Sequence, residues 1–503
     1  MSYQDNKRLA QNTVYLYVRM LLIMAIQFFT VREILKYLGI EDYGIYNVVC
    51  GVTNIFTFLT HTMTSASQRF LAYDLGRRDV VQLKKTFDTL LALFAVCGCL
   101  GVVILGFVGH WLIETQLVIP TNRLDAALFA FYFTLFALFV SIVVMPFNSL
   151  IIAHENMKTF AYVSVFDAML KLAIVYCLAI TSFDKLKLYA VLTFFAYLIP
   201  SFLYVAYCHK KYEEVTWKSH IDWSMSHKII PFMSWNLLGG FSWMLCTQGL
   251  SIVINMFFGP LANAAKAIAD KINMSINGFT NNFMMAAQPQ IVKTYADDDI
   301  EGMHRIICLA SKMSFFLMLI LAVPIAANAD GILDLWLVEH DKLTTIMLQM
   351  VLLFSMIGAL ENPINQAIRA TGEIRDYQIY IGMITLLVIP VSYVFFKMQF
   401  PAYYGYIALI LVYGAAFIGR VYFLKKQIRL TYQTYINTVL LRCLFCLVLD
   451  IALLVCIFIF VRNLGLHPIF IWLLDVIISF FVVYVVGLTT EEKNKIHKRF
   501  QRK

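Results

Sequence analysis

Residues 86–109 read TFDTLLALFAVCGCLGVVILGFVG, and Asp88 is the one charged residue among them. A helix that crosses a bilayer needs roughly 20 apolar residues, so this stretch is long enough for one crossing. The strands of a membrane barrel would alternate apolar and polar residues over about ten positions, whereas this run is continuously apolar. The stretch therefore predicts a membrane-spanning α-helix.

The rest of the chain resembles this stretch in composition. Of the 503 residues, 60% are hydrophobic and 14% are charged, and the mean hydropathy is +0.73. Soluble domains are about 45–50% apolar and about 25% charged, so an ordinary soluble protein is excluded. The sequence predicts an all-α integral membrane protein with 14 spans and short connections. The predicted spans are 11–31, 45–65, 86–109, 126–150, 159–181, 188–208, 229–257, 262–288, 309–328, 343–365, 377–396, 404–424, 438–461 and 469–487.

The distribution of Lys and Arg predicts the orientation, because short cytoplasmic loops carry an excess of these residues. The chain has 40 Lys and Arg residues. The even-numbered loops and both tails hold 27 of them, among them Arg369 and Arg420, and the odd-numbered loops hold 10. The other three, Arg19, Lys171 and Arg442, lie inside spans. This predicts that both termini lie in the cytoplasm. The net charge of +9 then reflects topology, and no nucleic-acid partner is expected.

An internal repeat predicts the architecture. Six residues at the end of the fourth span recur 217 positions later at the end of the tenth span, and Leu38-Gly39 recurs as Phe258-Gly259. The six pairs are Pro146 and Pro363, Asn148 and Asn365, Ile151 and Ile368, Ala153 and Ala370, Lys158 and Arg375, and Phe160 and Tyr377. Six spans separate the copies, so both halves cross the membrane in the same direction, as in parallel-repeat transporters. The predicted parts are an N-terminal lobe 1–208, a cytoplasmic linker 209–228, a C-terminal lobe 229–430, and an extra helix hairpin with a basic tail, 431–503.

Polar residues recur on one face of the second helix in each lobe. The eighth span carries Asn273, Asn277 and Asn281 at helical spacing, and the second span carries Asn54 and His61. Polar side chains are costly in lipid, so such a face is expected to point toward protein or a water-filled cavity. One interpretation is that these residues join helices by hydrogen bonds. Two such faces in equivalent helices favour a central cavity.

Charged residues inside spans predict the chemistry of that cavity. The candidates are Arg19, Lys171, Lys266, Asp270 and Lys271. Lys171 follows Asp167 by four residues and can pair with it, so a structural pair is an open alternative, and the Arg19 side chain can instead reach the interface. The summed charge of these residues inside the spans is positive in both lobes. This predicts an anion site for a phosphate or diphosphate.

The sequence carries no motif for catalysis. It lacks GxxxxGK[ST], HExxH and GxSxG, and its histidines show no spacing typical of metal ligands. We therefore expect no enzyme activity, no metal and no cofactor.

Two stretches of the sequence resemble a known family. YLGIEDYGIY at 37–46 and QRFLAYDLGRRD at 68–79 are similar to loop signatures of the bacterial polysaccharide transporter family, the O-antigen and capsule repeat-unit flippases. That family belongs to the multidrug/oligosaccharidyl-lipid/polysaccharide exporter superfamily. The resemblance implies alternating access and translocation of an undecaprenyl-diphosphate-linked oligosaccharide across the inner membrane. It also implies membrane lipids, a coupling ion such as H+ or Na+, and glycan polymerase or assembly proteins as partners.

Other functions stay open from the sequence. An ion-coupled multidrug and toxin extrusion antiporter would normally have 12 spans and an unpaired acidic residue in its cavity. The deep acidic residues of this chain are Asp167, beside Lys171, and Asp450 and Asp475 in the extra hairpin. A lipid II flippase is a further alternative. A membrane enzyme of glycan assembly would require a large outer loop, which the sequence lacks.

Overall fold

The structure is a computed structural model of the 503-residue chain. It describes residues 3–38, 42, 45–46, 49–50, 53, 57–115, 119–180, 183–215, 222–336, 341–461, 468–490 and 492–493.

Within these residues the regular structure is helical, as the sequence predicts. The helices are α1 Tyr3–Leu38, α2 Thr57–Gly76, α3 Val80–Thr115, α4 Leu124–Ala153, α5 Met157–Ile180, α6 Lys185–Lys211, α7 Trp223–Gly259, α8 260–296, α9 Ile300–Ala327, α10 Ala329–Trp336, α11 Lys342–Thr371, α12 Arg375–Leu386, α13 Val388–Lys397, α14 Tyr404–Ile428, α15 Tyr432–Tyr435, α16 Leu441–Val461 and α17 Pro468–Val482. Wider helical turns, Ile436–Leu440 and Val483–Gly487, follow α15 and α17.

Helical residues lie at every one of the fourteen predicted spans. Among the described residues, eleven helical segments are long and apolar enough to cross a membrane. The all-α multi-pass membrane fold is therefore confirmed. Helix α11 runs beyond the predicted span 343–365 and includes Arg369, and Arg420 lies in α14, within the predicted span 404–424. Their assignment to loops was wrong: for Arg369 because a helix need not end where its apolar residues end, and for Arg420 because the predicted span already contained it.

Aspartates in the short connections fix where four helices begin. The carboxylate of Asp184 accepts hydrogen bonds from the backbone N–H groups of Leu186 and Lys187 at the start of α6. Asp222, Asp299 and Asp341 accept in the same way at the starts of α7, α9 and α11. A side-chain acceptor satisfies backbone donors that the first helical turn leaves unpaired, and it stabilises the helix by about 1 kcal/mol.

The chain forms two compact units. The first comprises the described residues of 1–237 together with 292–298, and the second those of 238–291 and 299–503. In the first unit α1 packs against α5, and α4 packs against α3 and α6. In the second unit α11 packs between α9 and α14, and α16 and α17 pack on α9. The extra hairpin is therefore attached to the second unit through α9.

A glycine separates α7 from α8. Gly259 has φ 73° and ψ −170°, a backbone conformation that side chains with a Cβ rarely adopt. The repeat predicts this glycine as the counterpart of Gly39, which lies outside the described residues. The break divides an otherwise continuous helical segment, Trp223–Ala296, into two spans.

The ends of α2 and α8 pack closely within the first unit. A Cβ atom on Gly76 would stand 2.7 Å from the Ala296 Cβ and 2.9 Å from the Lys293 backbone. The rings of Tyr73 and Tyr295 lie 6.4 Å apart between centroids. Lys293 Nζ also donates to Glu155 Oε1 at 2.7 Å. Only a residue without a side chain allows this approach at position 76.

Candidate functional site

The first unit contains a cavity of about 560 Å3. Hydroxyl groups of Thr60 and Thr64 on α2, Ser164 on α5 and Ser201 on α6 line it together with the amide of Asn148 on α4. Several of these hydroxyls are held by backbone carbonyls of their own helix, as when Thr64 Oγ1 donates to Thr60 O at 2.8 Å. The cavity is thus a polar chamber built from helices that are apolar elsewhere.

Charged groups stand at this first cavity. Asp167 lines it and accepts a hydrogen bond from Lys171 Nζ at 2.8 Å, and the ammonium lies 4.1 Å from the Tyr197 ring centroid. The Arg19 guanidinium lies 4.5 Å from the centroid of Phe160, whose ring lines the cavity. Arg19 Nε and Nη1 are buried without a hydrogen-bond partner, and no acidic residue of the described chain pairs with Arg19. Among the described residues of this lining, Asp167 is the one that is charged, and Lys171 and Arg19 contact lining residues without belonging to the lining themselves.

The second unit contains a cavity of about 600 Å3. Asn273, Asn277 and Asn281 of α8 line it, which places the predicted polar face at a cavity formed by residues of this unit. Ser355 Oγ donates to Asn273 Oδ1 at 2.7 Å, and Asn277 Nδ2 donates to the same oxygen at 2.9 Å. Asn362 Nδ2 donates to Asn281 Oδ1 at 3.5 Å. These amides therefore join α8 to α11 and face the cavity as well.

A buried ion pair forms part of the second cavity wall. Arg420 Nη1 donates to Glu361 Oε1 at 2.7 Å, and each side chain is 5% exposed. Arg369, a second guanidinium, lines the same cavity. Tyr377 donates a short hydrogen bond to Asn365 beside them. The lining of this cavity thus holds two guanidinium groups and one carboxylate.

Aromatic rings form another part of this wall. The rings of Trp243 and Phe354 stack with centroids 6.4 Å apart, and Tyr413 meets Phe354 edge to face at 5.0 Å. All three line the cavity. Such rings present flat apolar faces beside the amide and guanidinium groups, a combination suited to an amphipathic ligand.

The two cavities occupy equivalent positions in the repeat. Asn148 and Phe160 line the first cavity, and their counterparts 217 residues later, Asn365 and Tyr377, line the second. Pro146 and Pro363 lie inside the helices that carry these asparagines. Residues that the repeat pairs therefore line one polar cavity in each unit.

The structure places other predicted residues away from these linings. Lys266 Nζ donates to Asp270 Oδ2 at 2.7 Å, and Tyr406 Oη donates to Asp270 Oδ1 at 2.8 Å. Lys271 is exposed. Lys266 is two helical turns from Asn273 along α8 and is held by its neighbours. Asn54 and the side chain of His61 lie outside the described residues.

Sequence reasoning missed Glu361, Arg369, Arg420 and the aromatic wall. Glu361 carries the one signal that could have found the pair, since it lies inside a predicted span with no cation on its own helical face. A carboxylate in that position requires a partner from another helix. Which helix supplies it is a matter of tertiary packing, and the sequence alone does not specify that.

A protein-family model described as MatE matches residues 241–394, and all of these except 292–298 lie in the second unit. No curated protein matches the sequence.

Solved structures share the fold over most of their length. One is a MOP superfamily transporter from Pyrococcus furiosus, described as having reverse polarity of its binding pocket; it is 14% identical, with TM-score 0.70, and the match covers 84% of this chain and 96% of that chain. A MATE in complex with MaD5 is 13% identical, with TM-score 0.72 and coverage of 84% and 96%. An outward-facing multidrug resistance MATE family transporter of the MOP superfamily is 14% identical, with TM-score 0.70 and coverage of 83% and 95%. The chain therefore has the fold of MOP superfamily transporters, and about a sixth of it has no counterpart in these structures.

Proposed function

We propose that this chain is a transporter that moves an amphipathic substrate across the membrane by alternating access, with the two cavities as its binding surfaces. One observation carries the proposal: a polar cavity of similar volume lies in each unit at repeat-related positions. Isolated polar residues in spans are explained by helix packing, but two chambers of about 560 and 600 Å3 are within the size range of ligand sites.

The comparisons favour a multidrug or toxin extruder as the specific function. The matching family model is MatE, and structures with this fold include multidrug MATE transporters. This supports the antiporter alternative over the flippase that the loop motifs predict. The wall of Trp243, Phe354 and Tyr413 is compatible with flat aromatic substrates.

The cavity charges favour a second candidate, a flippase for an undecaprenyl-diphosphate-linked oligosaccharide. Asp167 and Glu361, the carboxylates in the linings described, are each paired with a cation. The guanidinium of Arg369 lines the second cavity, and that of Arg19 lies against Phe160 in the first lining. A cationic drug would need a carboxylate that is not already neutralised, whereas an anionic diphosphate would find guanidinium groups.

Transport in proteoliposomes tests both candidates. Ethidium serves as the cationic substrate under an imposed H+ or Na+ gradient, and a fluorescently labelled undecaprenyl-diphosphate oligosaccharide serves as the anionic one, its flipping followed by quenching with a membrane-impermeant reductant. Gradient-dependent ethidium movement supports the extruder, and flipping of the labelled lipid supports the flippase. If neither moves faster than in protein-free vesicles, both candidates fail.

A further inference from the structure

The extra hairpin forms one side of a third, partly open cavity of about 450 Å3. Its walls come from α9, α11, α16 and α17 of the second unit, and it shares no lining residue with the second cavity. Most of the surface is apolar, contributed by residues such as Ala322, Leu353 and Leu454. Three of the lining residues are polar: Asn328, Gln349 and Asp475.

The carboxylate of Asp475 lacks a partner for one oxygen. Oδ2 accepts a hydrogen bond from Asn328 Nδ2 at 2.6 Å, and Asn328 Nδ2 also donates to Pro324 O at 3.0 Å. Oδ1 accepts no hydrogen bond in the part of the chain that the structure describes. Gln349 Nε2 donates to Ala326 O at 3.0 Å, and no hydrogen bond joins it to Asp475 among the described residues.

No cation of the described protein balances this carboxylate. No Lys, Arg or His side chain within those residues forms an ion pair with Asp475 or with Asp450, the other acidic residue of the two hairpin helices α16 and α17. Asp450 is fully buried and accepts a hydrogen bond from Ser479 Oγ at 3.0 Å. An ionised carboxylate in apolar surroundings is costly unless an opposite charge compensates it. The cavity thus combines apolar walls with one carboxylate that a positive charge would stabilise.

We propose that this cavity binds a lipophilic monovalent cation, whose apolar body contacts α9, α11 and α16 and whose charge pairs with Asp475 Oδ1. A volume of about 450 Å3 accommodates a small organic molecule. A lipid chain would contact the same walls but would leave Asp475 Oδ1 without a partner. Charge complementarity therefore selects the cation. The site is separate from the two cavities assigned to transport.

Binding of tetraphenylphosphonium to the purified full-length protein in lipid nanodiscs tests this assignment. Tetraphenylborate has the same shape and the opposite charge, so it controls for apolar binding. We expect saturable binding of the cation and none of the anion. Asp475→Asn should weaken cation binding at least tenfold, because it removes the charge and keeps the shape. Asp450→Asn, an identical change that does not alter the cavity lining, should weaken binding less than threefold.

Ala326→Phe tests the cavity without changing any charge. Ala326 lines the cavity, so a phenyl ring there should abolish binding in a protein that still elutes as a monodisperse species. Equal affinity of wild type and Asp475→Asn would overturn the proposal. Equal binding of tetraphenylborate would show an apolar groove for lipid chains, and unchanged binding in Ala326→Phe would place the cation elsewhere. Both results would also refute the proposal.

Discussion

Removing one member of the Arg420–Glu361 pair should strongly destabilise the protein. The two groups are 2.7 Å apart, and each side chain is 5% exposed. Breaking a buried pair leaves an uncompensated charge and costs about 3–5 kcal/mol. Since each 1.4 kcal/mol is a factor of ten, Glu361→Gln should raise the equilibrium constant for unfolding by roughly two to three and a half orders of magnitude. The double variant Glu361→Gln/Arg420→Met removes both charges and should recover most of this loss.

The assay is reversible unfolding in mixed micelles with increasing sodium dodecyl sulfate, followed by tryptophan fluorescence. Lys187→Met provides a matched control, because Lys187 pairs with Asp125 at an exposed position and should leave the unfolding free energy unchanged. Additive losses in the double variant, or a Glu361→Gln protein as stable as wild type, would refute the reasoning that this pair is buried and coupled.

Three other predictions follow from the structure and the sequence. Reporter fusions after Arg123 and Lys342 should report the periplasmic side and fusions after Lys211 and Lys503 the cytoplasm; a periplasmic signal at Lys503 would contradict the 14-span topology. In a background without the ten native cysteines, Asn277→Cys should react with a small hydrophilic thiol reagent while the buried neighbour Ile276→Cys should not, and equal rates would contradict a wet cavity. Glu492 follows α17 in the chain. Burial alone would raise the pKa of its carboxyl group, but the hydrogen bond that Lys312 donates at 2.6 Å leaves the pKa lowered. The group therefore stabilises the fold above its unfolded pKa of about 4.3, and the stability difference between wild type and Glu492→Gln, measured from pH 7 to pH 3, should vanish as the pH falls; a difference that persists at pH 3 would contradict this linkage.

The sequence predicts the membrane fold well, because lipid imposes a simple rule on every span. Apolar runs such as 86–109 must form helices, and the 217-residue repeat places Asn148 and Asn365 at equivalent positions before any coordinates are known. It also predicts that Asn273 and Asn277 face a cavity, since helical periodicity alone groups them on one side.

The charges at the cavities are predicted less well from sequence. Arg420 and Glu361 are 59 residues apart and meet only through the packing of α11 on α14. Lys266 shares the helical face of the cavity residues, yet it lies two turns from Asn273 and donates to Asp270. Periodicity gives the face of a helix that is polar, and tertiary contacts decide which polar groups are paired with each other.

The central claim is that the repeat-related cavities form the transport path, and blocking each one tests it most directly. Thr64→Trp places a large ring in the first cavity and Asn277→Trp does so in the second. Phe107→Trp and Leu261→Trp are matched controls, since these side chains are 78% and 73% exposed on the outside of the helices. In proteoliposomes, with whichever of the two probes the wild type moves, each blocked variant should lose most of the transport rate while the controls keep it. Wild-type rates in both blocked variants would show that the substrate does not pass through these cavities.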